Sequence, residues 1–238
     1  MTNKERLLTR FNDFQRKAWI PQTKPEEGSL TNSKLSGTPY LQKNEQWPVC
    51  KQCGYPLQLF LQLNISELPS AFYDRIGFTE GLVQLFYCTN PEELDNGFEA
   101  FAPSTLVRIL FPKEKGKKVP LPAIENYFPP KKIVDWKALK ELPHIEELWE
   151  LGVELKEEEE RQLEEFELTL EGDKLGGWPY WIQGPYYPSC KKCGRKMRML
   201  MQLDSKDNLP YMFGDAGIGH IFQCEKHKKI FAFNWSCY

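Results

Sequence analysis

The segment YPSCKKCGRKMRMLMQLD (187–204) decides how the chain is read, because the chain holds it twice. In a longer frame, GTPYLQKNEQWPVCKQCGYPLQLFLQLN (37–64) aligns without a gap on GWPYWIQGPYYPSCKKCGRKMRMLMQLD (177–204), at a constant spacing of 140 residues (177 − 37, 190 − 50, 203 − 63). Gly37/Gly177, Pro39/Pro179, Tyr40/Tyr180, Pro48/Pro188, Gly54/Gly194, Gln62/Gln202 and Leu63/Leu203 match, as do both C-x-x-C pairs. Further on, GLVQLFYC (81–88) matches GIGHIFQC (217–224) at a spacing of 136. Self-similarity of this kind marks two copies of one supersecondary unit.

Each copy has the period of a strand. Leu57, Leu59, Leu61 and Leu63 alternate with Gln58, Phe60 and Gln62, and Met197, Met199, Met201 and Leu203 repeat the pattern. STLVRILF (104–111) extends the first copy, and IFAFNWSCY (230–238) closes the second. The expected fold is therefore mainly β (α+β), with duplicated β-sheet units packed face to face or joined in one continuous sheet. The expected division is an N-terminal helix and linker (1–29), a first β copy (30–112), a linker with an acidic helical insertion (113–171) and a second β copy (172–238), together one compact domain. Leu7, Phe11, Phe14 and Ala18 predict an amphipathic helix over 2–19. The Leu- and Glu-rich stretch 135–170 predicts helix with a solvated acidic face, a docking surface for a basic partner being the sharper alternative.

Totals narrow the classes. A formal net charge of −2 over 238 residues gives no general attraction to nucleic acid or anionic membrane. Residues 1–20 are charged throughout and lack the apolar core of a secretory signal, and no apolar run approaches a membrane span. A cytoplasmic protein is expected, in which the Asn64 and Asn234 sequons carry no weight. Seven cysteines, an odd number, then favour metal binding or catalysis over a disulfide framework.

A redox C-x-x-C needs its first thiol at a helix N-terminus. Both pairs here lead into strands, with Gly54 or Gly194 following, as in a zinc knuckle. Cys224-Glu-Lys-His227 supplies a thiolate and an imidazole, so Cys190, Cys193, Cys224 and His227 form a closed Cys₃His set for structural zinc. The bland alternative is an ordinary exposed His227 beside a buried Cys224. In the first copy Cys50, Cys53 and Cys88 match three ligands, but Pro91 stands where His227 would. Three arrangements stay open there: completion by Glu92, Glu93, Asp95 or Glu99, buried thiols without metal, or one shared site of Cys50, Cys53, Cys190 and Cys193. Cys237 reads as a core thiol.

The strings SKLSGTPYLQKNEQWPVCKQCGYPLQLFLQLN, GLVQLFYC, KLGGWPYWIQ and FGDAGIGHIFQCEKHKKIFAFNWSC resemble the bacterial YwqG-like family, a domain of unknown function, over roughly residues 30–112 and 172–238. More distantly, the C-x-x-C copies are similar to eukaryotic programmed-cell-death protein 2 and its yeast ribosome-biogenesis relatives. The resemblance implies a duplicated β fold, often with cysteine-bound metal, and a role in protein binding, either chaperone-like or immunity-type.

The expected function is thus a non-enzymatic protein-binding module with structural zinc and a protein partner of unknown identity. No Walker loop, G-x-S-x-G or H-E-x-x-H motif occurs in the sequence. Two alternatives stand beside it. Lys191, Lys192, Arg195, Lys196 and Arg198 interleave with Trp178, Tyr180, Trp181, Tyr186 and Tyr187 as a nucleic-acid surface would. Asp215 and His220 could form an acid–base pair of an uncharacterised enzyme.

Overall fold

The computed structural model describes residues 2–90, 97–113, 116–117, 119–166 and 169–238. Ten strands build one sheet: β1 (Arg16–Lys24), β2 (Lys34–Leu35), β3 (Gln58–Asn64), β4 (Leu82–Tyr87), β5 (Thr105–Leu110), β6 (Lys131–Glu141), β7 (Lys174–Gly176), β8 (Arg198–Asp204), β9 (Ile218–Gln223) and β10 (Phe231–Ser236). Their spatial order is β10-β9-β8-β7-β1-β6-β2-β3-β4-β5, every ladder antiparallel. The edge strands β5 and β10 come back into contact, which makes the sheet a nearly closed barrel. Mainly β holds, and of the two packings considered the continuous sheet is the one observed.

Long β1 and β6 form the central ladder, and each is flanked by a short strand and then three longer ones. Matching positions pair alike on the two sides. Lys34 faces Gln62 and Leu35 faces Leu61 on one, while Lys174 faces Gln202 and Leu175 faces Met201 on the other. Both β3 and β8 carry one register shift, at Leu59/Leu61 and Met199/Met201. Side-chain hydrogen bonds repeat as well. Gln62 accepts from Tyr40 N (2.9 Å) and donates to Leu30 O and Asn32 O; Gln202 accepts from Tyr180 N (2.8 Å) and donates to Leu170 O and Gly172 O.

The main core inside the sheet is aromatic-rich and fed from both sides. Phe60 lies 4.9 Å from Tyr211 and 6.0 Å from Phe213, and Tyr87 lies 5.8 Å from Phe233, ring centre to ring centre. Tilted and edge-on pairs of this kind add roughly 0.5–1.5 kcal/mol each beyond their area burial.

Two helical expectations need correction. The N-terminal helix is α1 (Asn3–Arg10), capped by Thr2 and Glu5, and the chain is already extended from Arg16. Phe14 therefore ends a separate 3-10 turn (Asn12–Phe14) and Ala18 lies on β1, so neither continues α1. Ala18 and Trp19 pair with Gly176 and Leu175, and Pro21 lies beyond that ladder, where its missing N–H costs nothing to β7. Likewise 135–141, which the sequence assigns to helix, belongs to β6: pairing with β1 over its whole length overrides helix propensity. The insertion does contain α3 (Ile145–Glu150) and α4 (Glu157–Glu165). Leu148 and Leu163 pack on Leu7, Phe11 and Leu142 in a satellite core, while most of the glutamates of α4 face solvent. The short α2 (Tyr73–Ile76) ends at Gly77, in the left-handed conformation. No helix of the described residues is long and apolar enough to cross a membrane.

Candidate metal centre

Ahead of β3 and of β8, the chain makes the same tight knuckle. In the second, Cys190 N donates to Arg195 O (2.9 Å), Gly194 N to Cys190 O (2.8 Å) and Met197 N to Pro188 O (2.8 Å). In the first, Cys50 N donates to Tyr55 O (2.8 Å), Gly54 N to Cys50 O (2.9 Å) and Leu57 N to Pro48 O (2.9 Å). Gly54 (φ 74°) and Gly194 (φ 69°) take the left-handed turn that brings the second cysteine back toward the first. The third cysteine of each set, Cys88 or Cys224, follows directly on β4 or β9.

Cys190, Cys193, Cys224 and His227 converge, with all four ligand atoms within 4.8 Å of one another. Cys193 Sγ and Cys224 Sγ are 3.7 Å apart, Cys190 Sγ and His227 Nδ1 3.7 Å, and Cys224 Sγ and His227 Nδ1 3.8 Å. Thiolates at ~2.3 Å from a tetrahedral zinc stand roughly 3.8 Å apart, so this constellation fits zinc as it is. Backbone donors point at the sulfurs: Lys192 N at Cys190 Sγ (3.4 Å) and His227 N at Cys224 Sγ (3.2 Å). Desolvation raises the Cys190 thiol, but the N–H groups of Lys192 and Cys193 outweigh it and bring it down to about 6. Desolvation pushes Cys224 up. The bland reading of His227, exposed and apart from the cysteines, does not describe this arrangement.

The first set also converges. Cys50, Cys53 and Cys88 place their sulfurs within 4.8 Å of one another, with Cys53 Sγ and Cys88 Sγ 3.7 Å apart. Burial raises Cys88 to about 12, whereas at Cys53 desolvation is outweighed by hydrogen bonds from the Tyr55 backbone and Asn90. Of the acids considered as a fourth ligand, Glu92, Glu93 and Asp95 lie outside the described residues, with Pro91. Glu99 is exposed and is not part of the cluster. A shared site of Cys50, Cys53, Cys190 and Cys193 is ruled out by this geometry, since each pair sits with its own third cysteine.

Residues 33–236 match the family described as Domain of unknown function (DUF1963). The chain belongs to the DUF1963 family. No curated protein matches it. In this DUF1963 chain both cysteine clusters lie inside the family-matched span.

The other sequence-predicted residues are dispersed. Asp215 is exposed, whereas His220 is buried on β9 against Trp181 (5.1 Å) and Phe222 (5.9 Å). Burial and then the Lys174 charge lower His220 to about 3, so it is a neutral ring of the interior. No hydrogen bond or ion pair joins the two among the described residues. Of the aromatics near the basic knuckle, Trp178 and Trp181 are buried, while Lys191 covers the Phe101 ring (4.2 Å), Lys196 approaches Glu150 (3.7 Å) and Arg198 meets Glu225 (3.3 Å). Cys237 is half-buried beside Gly214 rather than in the core.

Sequence reasoning missed a second matched pair. Lys34 and Lys174 are fully buried, Lys34 bonding Glu27 (3.2 Å) and Thr38 O (3.1 Å), Lys174 bonding Glu141 (2.9 Å) and Leu170 O (2.5 Å). The same carboxylates accept from Thr38 N (2.6 Å) and Trp178 N (2.5 Å). The signal was available: the two lysines are 140 residues apart, three before the repeated glycine.

Proposed function

We propose that this protein is a non-enzymatic protein-binding module built by internal duplication, with structural zinc in the second copy. The observation that carries the reading is the closed Cys₃His cluster. All four tetrahedral positions are taken by protein ligands, so a metal there braces the β8 knuckle against the end of β9 and leaves no place for a substrate or a water. The duplication is supported by the repeated knuckle, the repeated glutamine network and the matched Lys–Glu pairs, none of which a shared strand propensity would produce. Cys50, Cys53 and Cys88 form a degenerate counterpart whose three thiols can hold zinc with a fourth ligand. Seven free thiols suit a reducing compartment, and we place the protein in the cytoplasm.

Protein binding is supported by exposed aromatic surface beside the second half's core, in which Trp181 packs with Cys190 and Cys224. Phe98 and Tyr186, about half exposed, flank a cleft of about 350 Å³ floored by Trp181, Asn234 and Trp235. Aromatic side chains held on a rigid scaffold suit a partner surface of either the chaperone-client or the immunity type. The test is affinity capture from the native cell with wild type and a Phe98→Ser/Tyr186→Ser variant. A stoichiometric protein held by wild type and lost by the variant is expected. Recovery of no protein, or of nucleic acid alone, would overturn the reading.

A further inference from the structure

Arg16 and Arg198 open β1 and β8, and Arg75 lies in α2, yet the three arginines converge. The Arg16 guanidinium carbon lies over the Trp178 ring, 3.1 Å from its centre, and Arg75 Nη2 donates to Met199 O beside Arg198. With Lys17 they line a surface groove of about 550 Å³, which includes Trp19 and Phe72 and a single carboxylate, Asp74.

The positive charge is poorly compensated. Among the described residues Arg16, Lys17 and Arg75 form no ion pair, and Arg198 has only Glu225, at 3.3 Å on the surface. Nearby carboxylates serve other groups: Glu141 holds Lys174, and Glu147 accepts from Trp181 and Tyr187. Arg198 Nε is buried and has no partner. Burial and then repulsion from Arg198 lower Arg16 to about 10; burial and then Arg198 and Arg16 lower Arg75 to about 9. Nor does the fold demand the cluster. The positions 140 residues before Trp178 and Arg198 hold Thr38 and Gln58, both uncharged, and Gln58 there accepts from Phe128 N (2.6 Å).

We propose that this groove is a binding site for a phosphate monoester dianion. The Arg16 guanidinium and the free edge of Arg198, with the charge of Arg75 behind them, match the oxygens of such a group and its double charge, where lysines would offer only point charges. A nucleic-acid strand fits less well. Its phosphates carry one charge each and need a basic track with open stacking faces, whereas Trp178 is covered by Arg16 and Trp19 is buried. The site shares no residue with either cysteine cluster, although Arg198 meets Glu225, which lies between Cys224 and His227, and it stands whether or not the protein-partner reading holds.

Calorimetry on the intact protein at fixed ionic strength tests it, with inorganic phosphate, an O-phosphoserine peptide, the unphosphorylated peptide and a single-stranded RNA as titrants. Saturable binding of one phosphate per chain is expected, weakened at least tenfold in Arg16→Gln and Arg198→Gln and unchanged in Arg195→Gln, whose exposed side chain lies outside the groove. A phosphopeptide that binds tighter than inorganic phosphate identifies a protein-borne group, and the reverse order a small phosphate ester; either supports the site. Without ligand, Arg16→Gln and Arg198→Gln should melt no lower than wild type, because each relieves repulsion. The proposal fails if phosphate does not saturate, if Arg195→Gln loses as much, if RNA binds tighter than every phosphate monoester, or if binding is lost only in step with a lowered melting temperature.

Discussion

Lys174 and Glu141 are both fully buried, so each is the other's replacement for water. Removing one partner of such a pair leaves an uncompensated buried charge, at a cost of about 3–5 kcal/mol. Lys34 is equally buried, but its partner Glu27 keeps 40 % of its side chain in solvent and can rehydrate. Lys174→Met should therefore lower unfolding stability by about 3–5 kcal/mol and Lys34→Met by clearly less, as urea denaturation would show; an equal or reversed order contradicts this account. His220 makes a pH prediction. Its unfolded form takes a proton near 6.5 but the native ring, facing Lys174 and the Trp181 and Phe222 rings, only near 3. Between those values the unfolded state binds more protons, so the contribution is complete above about 6.5 and is lost as pH falls toward 3. Urea midpoints at pH 7 and pH 5 should fall less for His220→Phe than for wild type, and an equal fall would exclude His220 as a source of acid sensitivity.

Among the elements, strands were legible and their partners were not. Period-2 runs placed β3 and β8, because side chains alternating across a sheet leave a pattern in the sequence, and STLVRILF and IFAFNWSCY, read as further parts of the two copies, hold β5 and β10. The β1–β6 ladder left no such mark: Leu7, Phe11, Phe14 and Ala18 fall at helical spacing, and 135–141 is rich in helix formers, until pairing across more than a hundred residues decides otherwise. For the candidate site, the spacing of Cys190, Cys193, Cys224 and His227 was enough to pick out four side chains that the fold brings together, because the third cysteine and the histidine follow a strand that pairs with the one after the knuckle. The arginine groove was illegible, because its members meet only through the sheet. The repeated glycines divide by element too. A Cβ on Gly177 (φ 69°) would stand 1.9 Å from Glu141 Oε1, whereas one on Gly194 (φ 69°) would meet nothing within 4 Å. Gly194→Ala should cost only its backbone strain, about 1–2 kcal/mol, and Gly177→Ala markedly more. Thermal melts of the two variants would check this, and equal losses would mean that the Glu141 cradle yields freely.

At the scale of the molecule, the nearly closed sheet joins two similar halves through one ladder, and each half carries its own cysteine cluster at a strand entrance. Zinc in the second cluster, as proposed, would tie the β8 knuckle to the end of β9, and its removal should loosen that half more than the half built on β3 and β4. Chelation should lower the melting temperature reversibly, with added zinc restoring it. The most direct test is the zinc-to-protein ratio, by elemental mass spectrometry, of wild type and the Cys224→Ser and Cys88→Ser variants purified under reducing conditions. The account predicts that Cys224→Ser loses one equivalent of zinc that Cys88→Ser retains. Zinc-free wild type that cannot be loaded, or a Cys224→Ser protein with its full wild-type complement, would contradict it.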